Sequence, residues 1–141
     1  MGFWRKNTIH PKVLHSLCIR TIYNFTYRLS GDIEVAEVLT EKVLLGHPDD
    51  CNNDVKLLKH AWMEFVRYNW CKDCKGEEPV QRALLSLGHE QRCAVILHDI
   101  LDFSYREIAV VLNTHESRVA YFISSGRQEI TKSVKKPNIT G

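Results

Sequence analysis

The sequence lacks any run approaching the roughly 18 consecutive apolar residues of a membrane span. It also lacks alternating segments of strand length bounded by turn residues, so no sheet is expected. Helix breakers are few, with four prolines and seven glycines in 141 residues, and there is neither an internal repeat nor a low-complexity tract. No phosphate-binding glycine loop, no H-E-x-x-H and no nucleophile elbow occurs, and the seven histidines are scattered. No catalytic residue and no cofactor is therefore expected. Behind the charges of Met1-Gly2-Phe3-Trp4-Arg5-Lys6 there is no apolar stretch of the kind a secretory signal needs. A cytoplasmic location follows as the expectation, with the odd count of five cysteines kept reduced.

What is present is ordinary globular composition, 44% hydrophobic and 26% charged, arranged with helical periodicity. Net charge is only +2, but the cations are not evenly spread. Arg5, Lys6, Lys12, Arg20 and Arg28 precede the first acid, Asp32, while Arg127, Lys132, Lys135 and Lys136 outweigh Glu129 at the other end. Pro11 suits a first helical position, and Val13, Leu14, Leu17, Cys18, Ile22 and Phe25 recur at three and four spacings. Gly31 can end that helix and Asp32 can cap the next, which runs toward Gly46 and Pro48. A Gly-, Pro-, Asp- and Asn-rich loop follows, then a third helix capped by Asp54. Lys75 to Pro79 reads as the boundary to a second lobe with a short helix to Leu87, a longer one from about Glu90 to Leu101, and two more. The fold class expected is all-α, two small helical lobes spanning 11–75 and 80–134.

The segment Ser104 to Arg127 is the most specific. Ser104-Tyr105-Arg106-Glu107 is a capping box. A helix-turn-helix needs a small residue where its helices cross, a residue tolerant of positive φ in its turn, and an apolar anchor in its second helix. Ala109, Asn113 and Val119 supply these at separations of four and six. A plain helical hairpin would require none of the three.

Leu87-Gly88-His89-Glu90-Gln91-Arg92, continuing through Ser104–Ala109 to Arg127, resembles the C-terminal promoter-reading domain of bacterial sigma factors, most closely the extracytoplasmic-function (ECF) type. Tyr27-Arg28-Leu29-Ser30-Gly31-Asp32 with Ala36-Glu37 is similar to that family's approach to its polymerase-clamp helix. Trp62-Met63, Val66, Asn69 and Asp73 keep the spacing of its minus-ten helix. The resemblance implies that core RNA polymerase and promoter DNA are partners, with an anti-sigma factor as a further one. It implies polymerase contact through Ala36, Glu37 and Glu41. DNA contact would come from Ser117, Arg118, Tyr121, Phe122 and Arg127 at the minus-thirty-five element, and from Trp62 and Asn69 at the minus-ten element. The residues of Trp62 alone, spaced with Leu58 and Val66, fit core packing at least as well.

Three departures from the family pattern carry physical consequences. The outward positions of the recognition helix are read as Ala120, Phe122 and Ser125, leaving Arg118 and Arg127 as its cations; each missing phosphate contact removes about one unit from the salt slope of DNA binding. The acidic and amide positions after Ala36-Glu37 are Val38, Thr40 and Glu41, so the clamp pattern is partial. The connection of about five residues reaches at most roughly 18 Å, so the lobes are expected to lie together, burying the apolar surface at Ala120, Tyr121 and Phe122. That geometry sustains an alternative, a sigma-fold regulator acting through protein–protein contact. Cysteine chemistry offers one further set: His47, Cys51, Cys71 and Cys74 have ligand types that suit zinc. Ordinary half-buried cysteines are the simpler expectation, and Cys18 and Cys93 fall on apolar faces.

Overall fold

The computed structural model describes residues 11–50, 52–68 and 79–135. Among them there is no strand. The amino-terminal half has three helices, α1 (Pro11–Ser30), α2 (Ile33–Gly46) and α3 (Asp54–Tyr68), with a 3-10 turn at Pro48–Asp50. The carboxy-terminal half has α4 (Pro79–Leu85), α5 (His89–Val95), α6 (Tyr105–Leu112) and α7 (Glu116–Lys135), and α5 runs into a π turn at Ile96–Ile100.

Local chemistry sets most boundaries. Gly31 adopts φ 75°, the left-handed conformation that stops α1. Asp32 then accepts from the amides of Glu34 and Val35 at 2.8 and 3.1 Å, as an N-cap should. The start of α3 departs from expectation: the capping oxygen belongs to Asn53, which accepts from Lys56 N–H at 3.1 Å, and Asp54 lies in the first turn. The helix expected to run from about Glu90 to Leu101 is also interrupted. Leu101 N–H reaches back five residues to the Ile96 carbonyl at 3.0 Å, and Asp102 beyond it sits at φ 67°. This wider turn redirects the chain into the helix-turn-helix.

The two halves share one hydrophobic core. Buried residues from Cys18 to Phe65 and from Leu84 to Ile123 form a single cluster, with Phe25, Leu39, Leu58, Phe65, Ile96 and Ile108 fully enclosed. The lobes thus lie together, though not by the surface the sequence suggested. It is α6, the first helix of the helix-turn-helix, that packs along α3, while α1 touches α4, α5 and the π turn. α7 packs on α4, α5 and α6, and Tyr121 remains 61% exposed. Ala120, Phe122 and Ser125 are half-buried on the flanks of α7 and not at its outward face.

Polar contacts seal the seam. Arg92, only 2% exposed, donates from Nη1 to the Leu29 carbonyl at 2.7 Å and from Nη2 to the Leu85 and Leu87 carbonyls at 3.2 and 2.9 Å. A guanidinium at the last turn of α1 also complements the negative end of that helix. Gln81 exchanges two hydrogen bonds with Arg28, and the His89 ring meets Phe65 edge-on at 5.2 Å.

Candidate nucleic-acid and polymerase interfaces

The helix-turn-helix forms as its residue types require. Ser104 Oγ accepts from Glu107 N–H at 3.1 Å, and Ser104 N–H donates to Glu107 Oε1 at 2.9 Å. Asn113 turns at φ 55°, ψ 54°, and Thr114 N–H returns to the Ala109 carbonyl at 2.9 Å, closing the helix through a left-handed residue. Ala109 lies at the buried crossing, and Val119 and Ile123 anchor α7. The close approach of α7 to α5 depends on a residue that sequence reasoning missed. A Cβ on Gly126 would stand 2.8 Å from Val95 Cγ2. The signal was a glycine inside a long helical pattern, four residues after Phe122.

The exposed face of α7 carries Ser117, Arg118, Tyr121 and Arg127. The Arg118 guanidinium lies 5.2 Å from the Phe122 ring centroid, a cation–π geometry that holds the charge along the helix surface. Arg127 is engaged elsewhere: its Nε donates to Asp99 Oδ2 at 3.0 Å and its Nη2 to Oδ1 of the same carboxylate. That pairing raises the Arg127 pKa further above its ordinary value. A phosphate would have to displace Asp99 to use this cation. Between α3 and the helix-turn-helix lies an open cleft of about 560 Å³ bordered by Lys59, Arg106, Asn113, His115 and Glu116.

The expected polymerase residues divide. Ala36 is fully buried, its carbonyl 3.4 Å from the Thr26 hydroxyl, so it packs α2 on α1 and offers no side-chain contact. Glu37 and Glu41 are exposed on α2. They edge a groove of about 420 Å³ whose floor is Ile19, Tyr23, Thr40, Leu44 and Leu45. Ile19 and Leu45 are 40% and 74% exposed there, an apolar strip with a carboxylate rim. The Leu44-Leu45 doublet at the helix end, where one leucine must face outward, was the missed signal.

Trp62 is 8% exposed and stacked beside Phe65 at 6.2 Å. In this arrangement it belongs to the core cluster and is not a base-contacting wedge. Asn69, Cys51, Cys71, Cys74 and the connection before Pro79 lie outside the described residues. Of the candidate zinc set only His47 can be placed, and it stacks on His60. Cys18 and Cys93 are buried, and burial pushes the Cys93 thiol well above its ordinary pKa.

Residues 77–130 match the family model for sigma-70 region 4. Among solved structures, the chain is similar to the co-crystal structure of the sigma factor RpoE in complex with the anti-sigma factor NepR from Bartonella quintana. The TM-score is 0.74 at 18% identity, with 86% of this chain and 94% of that chain covered. Comparison with curated proteins gives no match. The match to sigma-70 region 4 thus falls on the stretch that holds α4 to α6 and most of α7. The chain as a whole shares the fold of that sigma factor.

Proposed function

We propose that this chain is a transcription-initiation factor that binds core RNA polymerase and directs it to promoter DNA. The observation that carries the reading is the region 4 match over 77–130 coinciding with a well-formed helix-turn-helix whose second helix keeps its outer face exposed. Segment 80–134 would approach the minus-thirty-five element, with Ser117, Arg118, Tyr121 and, once freed from Asp99, Arg127 as its contacts. Segment 11–75 would hold polymerase and, through Asn69 and its neighbours, the minus-ten element. The apolar groove rimmed by Glu37 and Glu41 favours α2 as the polymerase face. Such a protein performs no covalent chemistry; it changes where polymerase binds and opens DNA, and it works in the cytoplasm. An anti-sigma factor is a further partner on this reading, since the similar RpoE was crystallised with one.

A second reading has its own support. The packing of α3 on α6, and the Arg127–Asp99 pair, hold the lobes together with one recognition-helix cation engaged. A regulator acting by protein–protein contact would need nothing more. Reconstituted transcription separates the two: core polymerase with this chain is given fragmented genomic DNA, and transcript 5′ ends are mapped. Starts sharing an upstream element bear out promoter direction. Polymerase binding without specific starts favours the regulator.

A further inference from the structure

The corner where α2 meets α3 holds a cluster that promoter recognition does not use. His47 follows the last turn of α2, its N–H bonded to the Val43 carbonyl at 3.1 Å. The 3-10 turn then brings Asp50 back, with Asp50 N–H on the His47 carbonyl at 3.1 Å. His60 projects from the second turn of α3 and stacks on His47, ring centroids 3.5 Å apart and 5° from parallel. Asp50 Oδ2 lies 3.5 Å from His60 Nε2, and Lys56 Nζ lies 3.6 Å from Oδ1. One donor atom from each of His47, Asp50 and His60 lies within 4.8 Å of the others, and all three are half-buried.

We infer that His47, Asp50 and His60 form a binding site for a divalent transition-metal ion of the zinc class. Two imidazoles and one carboxylate are a borderline-soft set that suits zinc and leaves a coordination position open to water. Bonds of about 2.0–2.1 Å around a tetrahedral ion place neighbouring ligand atoms roughly 3.3 Å apart. Donors within 4.8 Å reach that by side-chain rotation, and Asp50 would exchange an exposed lysine for the ion. A second observation points the same way. Glu64, one turn beyond His60, lines with His47 and His60 a cavity of about 460 Å³. Its Oε1 is buried without a hydrogen-bond partner, an acceptor that a water on the ion would satisfy. A bound ion would pin the end of α2 to α3 beside Trp62, independently of any promoter role.

The test uses the full-length, metal-free chain titrated with Zn²⁺, and in parallel with Co²⁺. Histidine ring resonances of the unmodified protein should respond at one equivalent for His47 and His60 alone. The Co²⁺ spectrum should show no thiolate charge-transfer band. His47→Ala and Asp50→Asn should each weaken Zn²⁺ binding by about tenfold or more, with an unchanged circular dichroism spectrum, whereas a Cys71→Ser/Cys74→Ser variant should bind as before. Unmoved His47 and His60 resonances in excess Zn²⁺, a thiolate band, or loss of binding in the double serine variant would each overturn the assignment.

Discussion

Asp99 decides how much charge the exposed face of α7 can offer. It holds Arg127 through two charge-assisted hydrogen bonds while remaining partly exposed, and pairs of that kind are worth little individually because water screens them. On the proposed function their effect on DNA binding would be larger, because the engaged cation is one of the two that α7 is expected to offer DNA. Asp99→Asn should free Arg127, raising DNA affinity and steepening the salt dependence by about one unit. Fluorescence anisotropy across a salt series measures this, and an Arg118→Ala/Arg127→Ala variant should move the slope the other way. Gly126 acts by what it omits. Gly126→Ala forces a methyl against Val95 Cγ2 at 2.8 Å, and overpacking of that sort costs about 1–3 kcal/mol. Urea denaturation should show the loss, and Val95→Ala should restore part of it in the double variant.

Elements differ in how far their own residues specify them. The helix-turn-helix was legible because each of its determinants is local: Ser104 and Glu107 bond each other, and Asn113 alone supplies the left-handed turn. Gly31 and Asp32 gave the α1–α2 corner for the same reason. The π turn at Ile96–Ile100 was not legible, since its apolar residues fit an α-helix equally and the packing of both lobes around it selects the wider turn. Ala36 was read as a contact residue, and Trp62 was left open between a base wedge and the core, because a motif match gives position along a helix but not which face its neighbours will cover. Arg92 was passed over because its three carbonyl partners lie 5, 7 and 63 residues away. Arg92→Met should cost about 3 kcal/mol, leaving three carbonyls without their charged donor, and should lower the denaturant midpoint. His89, at the start of α5, gives the seam a pH response. Burial, and then the Arg92 charge, lower its pKa from the ordinary 6.5, with Glu90 opposing. A depressed histidine adds stability above its unfolded pKa that is lost as pH falls through the folded one. His60 behaves alike. Thermal stability should therefore fall on acidification below about pH 6.5, and less steeply in His89→Gln.

At the scale of the molecule, two lobes that could act on separate promoter elements are held by one core and a buried arginine. The helix-turn-helix presents α7 outward while α6 lies against α3. On the proposed function, promoter engagement by both lobes would require the α3–α6 seam to part, and polymerase gripping the α1–α2 groove would be the partner that parts it. The groove remains open in the closed form: Glu37, Glu41 and Leu45 are exposed. The most direct test is co-elution of the purified chain with core RNA polymerase on size exclusion, against a Glu37→Lys/Glu41→Lys variant of equal helical content. The account predicts a stoichiometric complex with the unmodified chain and none with the variant. Failure of the unmodified, folded chain to associate with core enzyme would contradict it.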